Sequence, residues 1–177
     1  MRQLIANQRV FVRLDAIEQH QQETDKRVDE VFQLIERKEL IPNQGIFFDG
    51  QVYDAFEFVS KLIKDAEKGI ILIDNYISDE VLTLLERRGN GVKASIYTQK
   101  IDHQLALSLK KFNAQYPAIE VKTFKFSHDR FLCIDNVVYH IGASIKDLGK
   151  KWFAFSILYD VHPDDLVKRI EQSCEKG

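Results

Sequence analysis

The sequence predicts an α/β fold, with a mixed, partly parallel sheet flanked by helices and a long N-terminal helix in front of it. Three observations carry the prediction. Residues 1–40 contain no Gly or Pro and repeat their apolar positions at alternating spacings of four and three. From Gly45 onward, short apolar runs alternate with segments of helical periodicity, separated by Gly, Asn, Asp and Pro. The run Ile70-Ile71-Leu72-Ile73 is continuously apolar and mostly β-branched, which suits a strand covered on both faces.

Val10, Leu14, Ile17, Gln21, Thr24, Val28, Val31 and Ile35 form a narrow coiled-coil-like seam through the first segment. Gln21 and Thr24 weaken its middle, as polar seam residues that set register do. In a parallel pair Arg13 would meet Glu18 and His20 would meet Asp25, so the segment is expected to self-associate. An amphipathic helix packed on its own domain would show nearly the same stripe. Pro42-Asn43-Gln44-Gly45 is a break, which places a helical spacer at 1–41 and an α/β domain at 42–177.

Gly45–Phe48 is expected to be a short strand with Asp49-Gly50 as its turn. Phe56, Val59, Leu62, Ile63 and Ala66 then mark a helix over Tyr53–Ala66, closed by Gly69. Ile70–Ile73 is the central strand. Ser78 is expected to cap the next helix, with Asp79 and Glu80 in its first turn and Gly89-Asn90-Gly91 after it. Val92–Thr98 is a strand, Asp102–Tyr116 a helix stopped before Pro117, and Ile119–Phe124 a strand. Phe131–Ile134 and Val137–Ile141 form a hairpin through Asp135-Asn136. Trp152–Tyr159 reads as a last strand whose aromatics belong to the core, and Pro163 opens a helix reaching about Cys174. There is no internal repeat.

With 177 residues, 45% apolar and 29% charged, the chain has the composition of a globular protein. A net charge of −2 provides no global attraction to nucleic acid or membrane, so any polyanion contact must be local. No apolar run reaches spanning length and no signal-peptide core is present, so a cytoplasmic protein without membrane contact is expected. Cys133 and Cys174 offer neither a metal knuckle nor a disulfide scaffold, and Cys133 reads as a buried small hydrophobe. No His/Cys metal cluster, phosphate loop or Ser-His-Asp signature is legible, and no cofactor or metal is expected. Met1 is followed at once by a helix-like segment, so the chain could be a fragment of something longer.

The chemistry concentrates at Ser127-His128-Asp129-Arg130-Phe131-Leu132-Cys133-Ile134-Asp135. His128 and Arg130 are two apart, which on a strand places both on one face. An imidazole nucleophile or acid beside a permanent cation suits phosphodiester chemistry. Arg130 would bind phosphate oxygens. Asp135 either anchors backbone amides near the site or is ordinary turn chemistry. Ser144 reaches the site if a bulge intervenes and turns away if it does not. Asn75, after the central strand, either lines the crevice at the carboxyl edge of the sheet or belongs to a plain turn. Lys146, Lys150 and Lys151, with Lys122, Lys125 and Arg130, form the local basic concentration, a rim suited to single-stranded nucleic acid or another polyanion.

The spacing His128-x-Arg130-x-x-x-x-Asp135 resembles the H-x-K-x-x-x-x-D signature of the phospholipase D superfamily, with Arg130 standing where the family carries Lys. Gly142 falls on the Gly of the Gly-Ser-x-Asn element that follows in that family, and Ala143-Ser144-Ile145 replaces the rest. The resemblance implies catalysis by His128 through a covalent phosphohistidine, with Arg130 and Asp135 in the site and no metal. One motif per chain implies a homodimer whose partner supplies the second imidazole. The long helix, Phe47-Phe48-Asp49-Gly50, Asp74-Asn75-Tyr76 and His128–Phe131 are also similar to the C-terminal region of bacterial proteins whose N-terminal part is a phage-type DNA-binding domain. That likeness implies a DNA-related role. Two classes of function stand open: a metal-independent phosphodiesterase or nuclease, and a non-enzymatic module that binds nucleic acid or dimerises a larger protein.

Overall fold

The computed structural model describes residues 2–37 and 42–174, with the side chains of residues 13, 14, 16–30 and 32 in its first helix. The chain divides into two units, Met1–Pro42 and Asn43–Gly177. In the first, α1 (Arg2–Arg37) is a single helix. Leu14, Ile17, Val28 and Phe32 are exposed along it, and Thr24 back-bonds to the His20 carbonyl at 2.8 Å. The side chains of Val10, Val31 and Ile35 lie outside the described residues. No described helix is long and apolar enough to cross a membrane.

The second unit is a seven-stranded mixed sheet in the order β1-β7-β6-β5-β2-β3-β4. Its strands are β1 (Gln44–Phe47), β2 (Gly69–Ile73), β3 (Lys93–Thr98), β4 (Ile119–Thr123), β5 (Arg130–Ile134), β6 (Val137–Ile141) and β7 (Phe153–Ile157). The helices are α2 (Val52–Lys64), α3 (Glu80–Leu85), α4 (His103–Gln115) and α5 (Pro163–Cys174). β2, β3 and β4 are parallel, as strands joined through helices must be. β5 runs antiparallel to β2 and opens an antiparallel half that closes on β1.

Register assigns the faces. Leu72, Leu132, Ile141 and Phe155 share one face, and Phe155 meets Phe58 of α2 with ring centroids 4.2 Å apart. Ile71, Ile73 and Phe131 share the other, packed with Tyr97 and with Leu166 and Ile170 of α5. Both faces are therefore covered, which is why the β2 run is apolar throughout. Each fully buried Leu or Ile there contributes about 1.5–3 kcal/mol. Cys133 is buried in the same layer, and burial pushes its thiol up to about 12, so it behaves as an inert hydrophobe.

Four local expectations are corrected. Gly69 does not close a helix; α2 ends at Lys64 and Gly69 is the first residue of β2. Ser78 makes no cap hydrogen bond, and α3 starts after Asp79, whose carboxylate instead accepts from the Ser108 hydroxyl at 3.0 Å. Trp152 is not core: β7 begins at Phe153, and the indole is 67% exposed. Asp102, read as the first residue of a helix, caps α4 instead, its carboxylate accepting from the Leu105 N–H at 2.8 Å.

Asp135 sits in the β5–β6 turn with a left-handed φ of 54°, a conformation Asp tolerates better than most residues. Its carboxylate accepts from the N–H groups of Glu67 (3.0 Å), Lys68 (2.7 Å) and Gly69 (3.0 Å), fastening the turn to the start of β2. Desolvation pushes this carboxyl up, but the three backbone hydrogen bonds and the Lys68 charge outweigh it and hold the group below its ordinary 3.8. A lowered folded value means the stabilisation is complete above about pH 4 and is lost as pH falls through the folded value. Asp135→Asn is expected to cost about 1–2 kcal/mol near neutrality, since hydrogen bonds to a charged acceptor are the stronger ones. Urea unfolding midpoints should show the gap from wild type narrowing as pH drops below about 4. A gap constant with pH would show that the charge of Asp135 contributes nothing.

Candidate functional site

The carboxyl ends of β2, β3 and β4 lie at the same edge of the sheet as the start of β5, the end of β6 and the start of β7. The pairs Ile73↔Phe131, Arg130↔Ile141 and Phe47↔Phe153 put them there. Everything that follows β2 and β6 and precedes β5 and β7 therefore converges on this edge, where sheets of this kind keep their sites. A cavity of about 470 Å³ opens there, lined by Tyr76, Arg130, Gly142, Ala143, Ser144, Lys146, Asp147, Lys150, Lys151 and Trp152. Four cationic side chains face one carboxylate in a chain whose net charge is −2.

Arg130 is the innermost cation. It is the first residue of β5, on the face of Leu132 and Ile141, and is half-buried. Its guanidinium lies over the Tyr76 ring, 5.6 Å from the centroid. Its Nε is buried with no hydrogen-bond partner. Among the described residues no carboxylate pairs with it: Asp129 faces His140 at 3.4 Å and Asp135 is bound to backbone at the opposite edge. Five residues at about 3.4 Å each separate Arg130 from Asp135 by roughly 17 Å. Asp135 is thus placed as an anchor of backbone amides, away from the residues that line the cavity.

The lysines come from the connection between β6 and β7. Ile145–Asp147 form a 3-10 turn, and the segment after it lies against the turn that follows β1. Gly50 N–H donates to the Gly149 carbonyl at 3.0 Å, and Trp152 Nε1 donates to the Asp49 carboxylate. Lys150 pairs with Asp147 at 2.9 Å, whereas Lys146 and Lys151 have no ion-pair partner among the described residues. Lys122 and Lys125, expected in the same basic group, do not line the cavity.

Asp74 holds this connection in place. It is fully buried at the end of β2. One oxygen accepts from the Tyr76 N–H at 3.0 Å; the other accepts from the Ser144 hydroxyl and the Ile145 N–H, each at 2.8 Å. Ser144 resolves a question of alternation that no longer applies: β6 ends at Ile141, so no bulge is needed, and the hydroxyl is taken up by Asp74. Ile145 brings its backbone N–H to Asp74 while its side chain is buried. Gly142 is where the β6 and β7 backbones close up. A Cβ there would stand 2.9 Å from the Ala154 carbonyl oxygen.

His128 lies in a bend before β5, exposed, and not on the strand with Arg130. It does not line the cavity, so the strand-face argument that paired it with Arg130 is corrected. Its loop is pinned from both sides. The Asn75 amide donates to the Ser127 carbonyl, and the Ser127 hydroxyl donates to the Asp129 carbonyl at 2.6 Å. Asn75 therefore positions the His128 loop instead of lining the cavity, and its own Oδ1 is buried without a partner. Asp74 and Trp152 are the residues that sequence reasoning underrated. Asp74 stood out only as part of Asp74-Asn75-Tyr76, a segment read either as lining the crevice or as a plain turn, and Trp152 had no local signal separating it from Phe153 and Phe155. Among the described residues, no group of three or more His, Cys, Asp or Glu is placed to hold a metal ion.

Fold and cavity together define the class: an α/β protein presenting a cationic, aromatic-edged cavity at the carboxyl edge of its parallel strands. No protein-family model matches the chain, and no curated protein does. Among solved structures it is similar to TrmBL2, an archaeal chromatin protein whose structure shows a novel mode of DNA binding. That match has 14% identity and a TM-score of 0.49, and covers 92% of this chain and 64% of TrmBL2. NucT from Helicobacter pylori is similar at 12% identity and a TM-score of 0.49, over 75% of this chain and 93% of NucT. The polyphosphate kinase from Porphyromonas gingivalis is similar at 15% identity and a TM-score of 0.46, over 81% of this chain and 24% of the kinase.

Proposed function

We propose that this chain is a phospholipase D-like domain of a DNA-associated protein, and that it binds phosphodiesters of nucleic acid in the cavity under Arg130. One observation carries the reading. Arg130 is a half-buried guanidinium with an unpaired, buried Nε and no carboxylate partner among the described residues, facing a cavity with three further lysines. A buried N–H of a charged group without an acceptor is unfavourable unless a ligand completes it. Phosphate oxygens match its planar donors. The family signature around Arg130 and Gly142 supports the same ligand. The exposed Leu14, Ile17, Val28 and Phe32 of α1 support a homodimer through that helix.

Charge reversal tests it. Lys146→Glu with Lys150→Glu is expected to weaken binding of an oligonucleotide at least tenfold, each lost phosphate contact lowering the salt slope by about 0.7 for a single strand. Binding and salt slope that match wild type would place the contact elsewhere.

A second reading, hydrolysis through a His128 phosphohistidine, is favoured by one feature. The imidazole is exposed and makes no hydrogen bond among the described residues, on a loop pinned by Asn75 two residues from Arg130. It is therefore accessible to a second copy, which would bring the other imidazole of a coupled pair. Cleavage of a chromogenic phosphodiester and of DNA in EDTA is expected for wild type and should vanish in His128→Ala. Arg130→Lys should keep or raise the rate. Cleavage that persists in His128→Ala would rule out the phosphohistidine, and binding without any cleavage would leave the module reading alone.

A further inference from the structure

We infer that the cavity selects unpaired nucleotides, taking the sugar–phosphate chain on Arg130 and the lysines and stacking a base on Trp152. The inference rests on the phosphodiester-binding reading and specifies the ligand of that same site. Its starting point is a ring that is exposed and yet held. Trp152 is 67% exposed, one residue before β7 begins, while Phe153 and Phe155 are buried. Its orientation is set twice. The indole N–H donates to Asp49, and the Phe48 ring stands nearly perpendicular to it at 81°, with centroids 4.7 Å apart. An exposed tryptophan normally samples several rotamers; this one has surrendered that freedom without gaining burial, which is the arrangement of a preorganised contact surface. A second aromatic, Tyr76, lines the same cavity at 52% exposure beneath the Arg130 guanidinium.

Aromatic faces beside a groove of positive charge recognise bases whose own faces are free. In a duplex those faces are covered by neighbouring base pairs, so a double strand can offer this site only its backbone. A single strand offers both backbone and base. Among the described residues no set of buried donors and acceptors at the Trp152 end is placed to read a base edge, so stacking here discriminates paired from unpaired bases and not one base from another.

Trp152 is the only tryptophan in the chain, so the intrinsic fluorescence of the full wild-type protein reports on this residue. The probes are an oligothymidylate, an oligouridylate, the thymidylate annealed to its complement, and an abasic oligomer of equal length that carries the same phosphates. Both single strands should quench the fluorescence and bind roughly tenfold or more tighter than the duplex and the abasic chain. Trp152→Leu should weaken thymidylate binding by about 5- to 100-fold, the range expected for losing one stacked base, and Trp152→Phe should retain most of the affinity. An abasic oligomer or a duplex that binds as tightly as the single strand would overturn the stacking inference while leaving phosphodiester binding intact. So would thymidylate affinity unchanged in Trp152→Leu. Failure of every oligomer to bind would overturn both.

Discussion

Asp74→Ala is expected to lower folding stability by about 4 kcal/mol and to abolish the cavity. The carboxylate is wholly buried and accepts from three donors: Tyr76 N–H, Ser144 O–H and Ile145 N–H. Truncation leaves three donors in a space too confined for bulk water, and each unsatisfied buried donor costs roughly 1–3 kcal/mol. The loss should appear as a fall of roughly 10–15 °C in Tm. Asp74→Asn cannot rescue it fully, because its NH₂ must face either the Tyr76 or the Ile145 N–H, a donor against a donor. Ser144→Ala, which removes one hydroxyl and leaves the other two bonds, should cost only about 1 kcal/mol. Thermal unfolding ranks the three, and an Asp74→Ala variant within about 1 kcal/mol of wild type would refute the role of Asp74 as the tie between β2 and the lysine-bearing connection. Oligonucleotide affinity should fall in the same rank order, because the tie decides where Lys146 and Lys150 stand.

Gly149→Ala is expected to cost about 3 kcal/mol, from two sources that a second left-handed glycine, Gly91, separates. Gly149 has φ +67°, and a Cβ placed there would come within 2.5 Å of Gln51 C and Val52 Cα and as close to the Gln51 carbonyl oxygen. These are backbone atoms at the start of α2, so the clash cannot be relieved by turning a side chain. The loop must lift, and the Gly50 N–H bond to the Gly149 carbonyl is lost with it. Gly91 has φ +87° but open space around its missing Cβ. Gly91→Ala should therefore show the conformational penalty alone, about 1 kcal/mol. Equal losses at the two positions would mean that the contact between the Gly149 loop and α2 is loose. A larger loss at Gly149, accompanied by weaker oligonucleotide binding, ties the wall of the cavity to this approach.

Much of this molecule is legible along the chain. The apolar run of β2, the Gly and Pro breaks and the helical spacing of α2 are local signals, because a buried parallel strand and an amphipathic helix each impose a period on their own residues. Arg130, Asp135, Gly142 and the Lys146–Lys151 cluster stood out for the same reason: their spacing within one short segment is itself the pattern. Both meanings offered for Asp135 were local: the hairpin turn is present, and the anchor for backbone amides is present at the edge away from the cavity.

What the sequence by itself determined is the order of strands and helices, the α/β class and the segment that carries the cations. Only the tertiary structure decided which side chains meet. Asp74 and Ser144 are seventy residues apart in the chain and 2.8 Å apart in space, and nothing local marks either as the other's partner. His128 lost its place on the strand because the neighbours available to β5 end the ladder at Arg130. Trp152 and Phe153 are adjacent aromatics with opposite fates, one at the mouth of the cavity and one in the core. Strand alternation sends successive side chains to different surroundings, and only the position of β1, β6 and α2 determines which surroundings are solvent.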